Sequence, residues 1–304
     1  MRGQREIPVQ LQRASSMVTK APQVKSADRV LDIIESLAAS PNGLGFTELA
    51  TALHIPKSSL HALLAVLTDR RFVEYDAVRR RYALGLRTWE VGQVYIGHRD
   101  LLGIAMPAMQ GVVDAVNETV QLAILDGVEN VYLAKVDCTH PVRLQSEVGK
   151  RLYAHGTGLG KALLAGLPDA ELEHRFATTT LPRLNARSIN DLSHLLRVLE
   201  TVRALGFAVD DQEYTAGLRC VAVPVLGIDG QTTAALSASI PLTRASQEQM
   251  EAALRAIARA SIDISRQLGA SVPDPRLARL TEWHGDVLRA QAAALDREEP
   301  DRDA

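Results

Sequence analysis

Lys57, Ser58, Ser59 and His61 stand close together, and no carboxylate follows them until Asp69. A small, polar, weakly basic helix face of this kind can approach a phosphate backbone and enter a major groove. Arg79, Arg80 and Arg81 follow in unbroken succession, with Asp76 as the nearest carboxylate. Adjacent guanidinium groups repel one another unless a polyanion is near. A solvated charged turn is the bland reading. The place of the arginines directly after a helix-turn-helix pattern favours a wing that touches DNA.

Elsewhere the chemistry is less committed. The run His155-Gly156-Thr157-Gly158-Leu159-Gly160-Lys161 is glycine-rich, but its spacing is one residue short of a P-loop and Ala162 replaces the metal-binding hydroxyl. A dinucleotide fingerprint fails for want of a βαβ unit. What remains is a glycine-rich entry to a helix. Its backbone N–H groups can receive a small anion such as a carboxylate, or the glycines can simply allow a tight packing turn. Cys138 and His140 are metal-type ligands with no companions at ligand spacing, so no metal site and no cofactor is expected. Ser237 and Ser239 alternate along a strand-like run and share a face, with Cys220 on the run before it. They could line a cavity or merely pack. A Ser/His/Asp triad can be assembled on paper from His155 or His194, but no nucleophile elbow supports it, and no catalytic residue is assigned.

The first unit must position the basic groups. Val30, Ile33, Ile34 and Leu37, then Phe46, Leu49, Ala50 and Leu53, then Leu60, Leu63, Leu64 and Leu67 each repeat the spacing of one helix face. Three such helices bury their stripes on one small core and leave Ser58, Ala62 and Ala65 outside. Ser26 and Thr47 are read as N-caps of the first two helices, and Pro56 opens the third. Phe72–Tyr75 and Arg81–Leu84 form a hairpin whose turn spans Asp76 to Arg80. Residues 1–25 read as a disordered basic leader, 26–85 as the winged helix-turn-helix and 86–98 as a linker helix carrying Trp89, which suits a partner chain.

Residues 99–270 then form a second unit. A helix over Asp100–Asn117 precedes strands at Thr119–Leu125 and Val131–Asp137, with a further strand at Val142–Gln145. Helices follow at Gly158–Leu167, at Asp169–Ala177 and from a Ser188/Asp191 capping pattern to Leu205. The last strands are Arg219–Val225 and Ala234–Ile240, before a long helix, Ser246–Leu268. This order is α+β with a largely antiparallel sheet. Residues 271–304 hold one more helical segment, about Leu277–Leu295, which the sequence does not place.

Composition bounds these readings. The chain has 304 residues and a net charge of −2. Residues 1–98 carry 13 Lys+Arg against 9 Asp+Glu, and the rest carry 21 against 27. A basic first third on an acidic remainder suits a nucleic-acid module joined to another module. Two cysteines make no disulfide framework, and no run approaches a membrane span or a signal core, so a cytoplasmic protein with no membrane partner is expected.

Several blocks together resemble a known family. They are Val24–Gly85, Leu152–Ala165, Gly206–Tyr214, Gly217–Val225 and Ala234–Ser239. In this order they resemble the isocitrate lyase regulator (IclR) family of bacterial transcription factors, over about residues 24–270. The resemblance implies a winged helix-turn-helix, a linker helix and a GAF/profilin-like effector domain. It implies a homodimer or dimer of dimers on double-stranded operator DNA, most simply as a repressor of a catabolic or metabolic operon, switched by a small organic or aromatic acid. It carries the effector pocket to Leu144, Leu152, Gly158, Leu159, Asp210, Leu218, Cys220, Ser237 and Ser239. Many members have Arg or Lys where this chain has Ala62, so either sequence preference differs or the arginine wing supplies more of the affinity. The rival readings are a small-molecule enzyme whose N-terminal helices serve assembly, and an interaction module that does not bind DNA, against which the basic wing argues.

Overall fold

The computed structural model describes residues 24–97, 101–141, 146–270 and 274–296. The chain divides into two units after His98. In the first, α1 (Lys25–Ala38), α2 (Phe46–Ala52) and α3 (Lys57–Asp69) precede a hairpin, β1 (Val73–Asp76) and β2 (Arg81–Leu84), and then α4 (Leu86–Gly97). The apolar stripes meet as expected: Ile33, Leu37, Leu49, Leu60, Leu64 and Leu67 are buried together with Ile55 and Val73.

The helix starts differ from expectation. Ser26 lies inside α1, which begins after Val24 without a side-chain cap. Thr47 lies inside α2. There Gly45 is the cap, and its N–H donates to Glu48 Oε2 at 2.7 Å. Glu48 supplies the half of a capping box that reaches back, and glycine has no side chain for the other half. Leu44 exchanges backbone hydrogen bonds with Tyr82 at 2.9 and 2.8 Å, which ties the approach to α2 onto β2. Only a glycine suits position 43, because φ is +68° and a Cβ would lie 2.5 Å from the Tyr82 carbonyl oxygen.

The second unit opens with α5 (Leu101–Val116), β3 (Thr119–Asp126), β4 (Glu129–Val136) and β5 (Arg151–Tyr153). A 3-10 turn, Ala154–Gly156, leads into α6 (Gly158–Leu164), α7 (Asp169–Phe176) and α8 (Leu192–Leu205). Then come β6 (Ala208–Asp211), β7 (Leu218–Leu226), β8 (Thr232–Pro241), α9 (Gln247–Gln267), α10 (Pro275–Leu280) and α11 (Val287–Asp296). Asp191 alone caps α8, accepting from the His194 N–H, and Gly206 ends it at φ +85°. Ser188 serves elsewhere, as described below. The expected strand at 142–145 lies outside the described residues, and β5 is the strand that edges the sheet.

The sheet runs β5-β4-β3-β8-β7-β6, and every pairing is antiparallel. Alternation along each strand sends side chains to opposite faces. Val120, Leu122, Val209, Val221, Val223, Leu236, Ala238 and Ile240 face α5 and α9. Ala208, Ala222 and Ala235 face the layer that holds α6, α7 and α8.

The segment after α9 is two short helices rather than one. They dock on their own unit: Leu277, Leu280 and Val287 are buried in its core, and Trp283 packs edge-on against Phe207 at 5.8 Å. Arg276 Nη1 donates to the Arg203 carbonyl at 2.7 Å. The leader through residue 23 and the run after Asp296 lie outside the described residues. No described helix is long and apolar enough to cross a membrane.

Candidate functional site

On the first unit, α3 buries Leu60, Leu64 and Leu67 and leaves Lys57, Ser58, His61, Ala62 and Ala65 exposed, with Ser59 half-buried. The wing does not present its arginines alike. Asp76 Oδ1 accepts from the Val78 and Arg79 N–H groups, both at 2.9 Å, and shapes the turn. Those bonds, Arg79 first, hold the Asp76 carboxyl below its ordinary range. The Arg79 side chain reaches the same carboxylate only at 3.8 Å. Arg80 sits at φ +53° and has no ion-pair partner among the described residues. Arg81 is different. Its Nη1 donates to the Gly43 carbonyl at 2.7 Å and lies 3.3 Å from Glu48 Oε2. Arg81, grouped with Arg79 and Arg80 as a DNA-contacting residue, begins β2 opposite Asp76 as expected, but its side chain turns back onto the domain body.

On the second unit the polar residues converge by register. Asp210 pairs with Cys220 across β6 and β7, Cys220 with Ser239 across β7 and β8, and Ser239 with Thr119 on β3. One row along, Ala222 pairs with Ser237 and Ser237 with Gln121. This row lies on the α6 face. Together with Gly158 and Leu159 of α6, Leu152 of β5 and Leu218 of β7, the side chains of Asp210, Cys220, Ser237 and Ser239 line a cavity of about 90 Å³. Eight of the nine positions expected from the resemblance thus border one space, and Leu144 lies outside the described residues. Sequence reasoning missed Tyr132, Ser146, Lys150, Thr157, Tyr214 and Thr215, which also line it.

The glycine run is explained by packing and cavity together. Thr157 caps α6 by accepting the Gly160 N–H at 2.9 Å. A Cβ on Gly160 would lie 2.1 Å from the Ala154 carbonyl oxygen, so the helix start can rest on the preceding turn only without a side chain. Gly158 borders the cavity, and there a Cβ would meet Ala222 and Cys220 at ordinary contact distances.

Asp210 is buried, and its Oδ1 accepts from the Glu213 N–H at 2.7 Å and the Tyr214 N–H at 3.4 Å. Burial pushes its carboxyl up to about 7, the Glu213 carboxylate adds to this, and Lys161 with the two N–H bonds opposes it. Burial likewise holds the Cys220 thiol well above its ordinary range, so it stays a thiol and is no nucleophile. Behind the wall, Lys161 is fully buried and its Nζ contacts the Glu213 oxygens at 2.5 and 2.6 Å. The Glu213 carbonyl accepts from Asn185 Nδ2 and Ser188 Oγ, both at 2.8 Å. Ser188, expected in a helix cap, instead clamps the loop that carries Tyr214 and Thr215.

The remaining candidates separate. Cys138 Sγ accepts from Thr119 Oγ1 at 3.5 Å, whereas His140 Nε2 lies 3.3 Å from Asn117 Nδ2. His155 Nε2 faces the Pro182 carbonyl at 3.2 Å, and burial lowers its pKa. Among the described residues no group of three or more His, Cys, Asp or Glu could hold a metal ion.

Comparison with known proteins brings both units together. Residues 26–77 match the IclR helix-turn-helix domain, and residues 93–266 match the bacterial transcriptional regulator IclR C-terminal domain. The HTH-type transcriptional repressor AllR of Salmonella typhimurium is 32% identical over 249 residues, which cover 82% of this chain and 92% of the relative. A crystal structure of a transcriptional regulator from Rhodococcus sp. RHA1 aligns with TM-score 0.71 at 31% identity, covering 81% of this chain and 98% of that one. An IclR homolog from Microbacterium hydrocarbonoxydans complexed with 4-hydroxybenzoate aligns with TM-score 0.71 at 25% identity, covering 80% and 98%.

Proposed function

Because the chain belongs to the IclR family and is a ligand-responsive DNA-binding transcriptional regulator, we propose that it is a cytoplasmic repressor of a metabolic operon that leaves its operator when a small organic acid fills the cavity of its second unit. The observation that carries the sensing half is the cavity itself, where Asp210, Cys220, Ser237 and Ser239 meet Leu152 and Leu218. At about 90 Å³ it is smaller than the ~150 Å³ that admits a benzene ring. Its size favours a short aliphatic acid over an aromatic one, and it works by binding rather than turnover.

Lys57, Ser58, Ser59 and His61 on α3, with Arg79 and Arg80 on the wing, are assigned to DNA. Arg81 instead braces the wing through Gly43 and Glu48. Leu86 and Trp89 stand exposed on α4, apolar surface that a second copy would cover in a dimer on two half-sites. The effector then shifts the balance between protomer arrangements that do and do not match operator spacing.

Fluorescence anisotropy on DNA from upstream of the protein's own gene, against a scrambled duplex over a salt series, tests this reading. Tight, sequence-dependent binding with a steep salt slope is expected, with release by a short carboxylic acid. Arg80→Ala lowers the salt slope by about one, and Ser239→Ala weakens the effector response while operator affinity holds. Equal weak binding to both duplexes, with and without candidate acids, refutes the regulator.

A further inference from the structure

Gln121 lies behind the cavity wall, fully buried, and does not itself border the cavity. Each of its side-chain partners does. Its Oε1 accepts from Ser237 Oγ and from Ser239 Oγ, both at 3.0 Å, and its Nε2 donates to Ser146 Oγ at 3.5 Å. Ser239 Oγ also contacts Cys220 Sγ at 3.2 Å. A hydroxyl has one proton. With both serine protons directed at Gln121, Ser237 and Ser239 show the cavity only lone pairs. Asp210 Oδ1 is already engaged by backbone N–H groups, and that residue brings no fixed donor when ionised. At these two serines the wall suits a ligand that donates hydrogen bonds, although Lys150 supplies a cation elsewhere in the lining. A carboxylate only accepts.

The amide of glutamine is nearly symmetric in shape and opposite in hydrogen-bonding sense at its two ends. A half-turn of the Gln121 amide places Nε2, with its two protons, opposite the two serine oxygens. Both serine protons are then free to point into the cavity, and Ser146 donates to Oε1. Gln121 keeps three hydrogen bonds in either arrangement, and the two serine protons regain an acceptor when an acid fills the cavity. We propose that Gln121 is a positioning residue that sets the hydrogen-bond polarity of the effector pocket, and that an acid effector selects the orientation in which Gln121 donates to Ser237 and Ser239. This rests on the acid-effector reading above.

The test uses the full-length protein and calorimetric titration with acetate, glycolate, lactate and pyruvate. Wild-type protein binds at least one of them. Binding of none overturns the acid-effector reading and this inference with it. Gln121→Glu keeps the shape but holds the serine protons, and its affinity for the bound acid falls at least 30-fold. Gln121→Met frees those protons, and its affinity falls no more than about fivefold, which is one ordinary hydrogen bond. A merely structural role predicts the methionine variant to suffer at least as much, because it loses all three hydrogen bonds. Equal losses, or a glutamate variant within threefold of wild type, overturn the inference and leave the acid reading standing. If the glutamate variant does not fold, wild-type protein with ¹⁵N-glutamine decides. The Gln121 side-chain amide signal, identified by its absence in Gln121→Met, shifts when the acid saturates the pocket, and an unmoved signal overturns the proposal.

Discussion

The two faces of the six-stranded sheet are built by the same strands, yet they have different tasks. Toward α5 and α9 the buried core positions of the strands are Val, Leu, Ile and Ala. Toward α6 the alternate positions of those strands hold Asp210, Cys220, Ser237, Ser239 and Gln121. Leu236 and Ser237 are neighbours in sequence and lie on opposite sides of this division. Burial is nearly total for both, so exposure does not distinguish them. What differs is whether a side chain is held by packing or by directed hydrogen bonds. A face held by packing has one way to be right. A face held by hydroxyls and amides can be satisfied in more than one proton arrangement, and that freedom can be biased by a ligand.

The sharpest way to break this comparison is to strand a charge behind the polar face. Lys161→Met leaves the half-buried Glu213 without its cation and is expected to cost about 3 kcal/mol in urea unfolding. A loss under about 1 kcal/mol would mean that water reaches the pair. On the packed face, Leu236→Ala removes a fully buried side chain and is expected to cost about 2–5 kcal/mol, with little change in effector affinity. An equal loss of binding would show that the two faces are not separable.

A smaller effect depends on pH. The Asp210 carboxyl titrates near 7 in the folded chain against an ordinary value of 3.8, so over that window the native state keeps a proton that the unfolded chain has lost. Its contribution to stability is full below the ordinary value and fades as pH rises through 7. Between pH 5 and 8 the wild type therefore loses stability relative to Asp210→Asn, measured as urea midpoints, and parallel curves would place this carboxyl in water. The smallest effect belongs to Ser237→Ala, expected to cost about 1 kcal/mol, because Gln121 keeps its bond from Ser239.

Much of this arrangement was legible along the chain, and the exceptions share a cause. The stripes on α1, α2 and α3 follow local periodicity, and the long-spaced strands and helices of the second unit are flanked by clear turn residues. The alternation of Ser237 and Ser239 was visible in the same way. Leu152, Asp210 and Leu218 came only through family resemblance, because nothing in their spacing marks them. Gln121 carried a signal that was passed over: a lone amide between Val120 and Leu122, in a strand otherwise fit to be buried on both faces. Its two serine partners on β8 stand more than a hundred residues away, and only sheet register joins them. Lys161 and Glu213 are likewise joined across the fold rather than along the chain. The helix starts misread at Ser26 and Thr47 are local errors, where a backbone carbonyl or Glu48 took the role that a hydroxyl was expected to fill.

The docking of α10 and α11 sets an order of events on the ribosome. The buried core of the first unit is complete with β1, and the hairpin closes at Leu84, whereas the core of the second unit includes Val287 at the start of α11. At ~5–20 residues per second the interval between these two points is on the order of 10–40 s. A nascent chain therefore carries a finished DNA-reading module well before the module that would control it. Each newly made molecule thus completes the fold that meets DNA before the fold that answers to the effector.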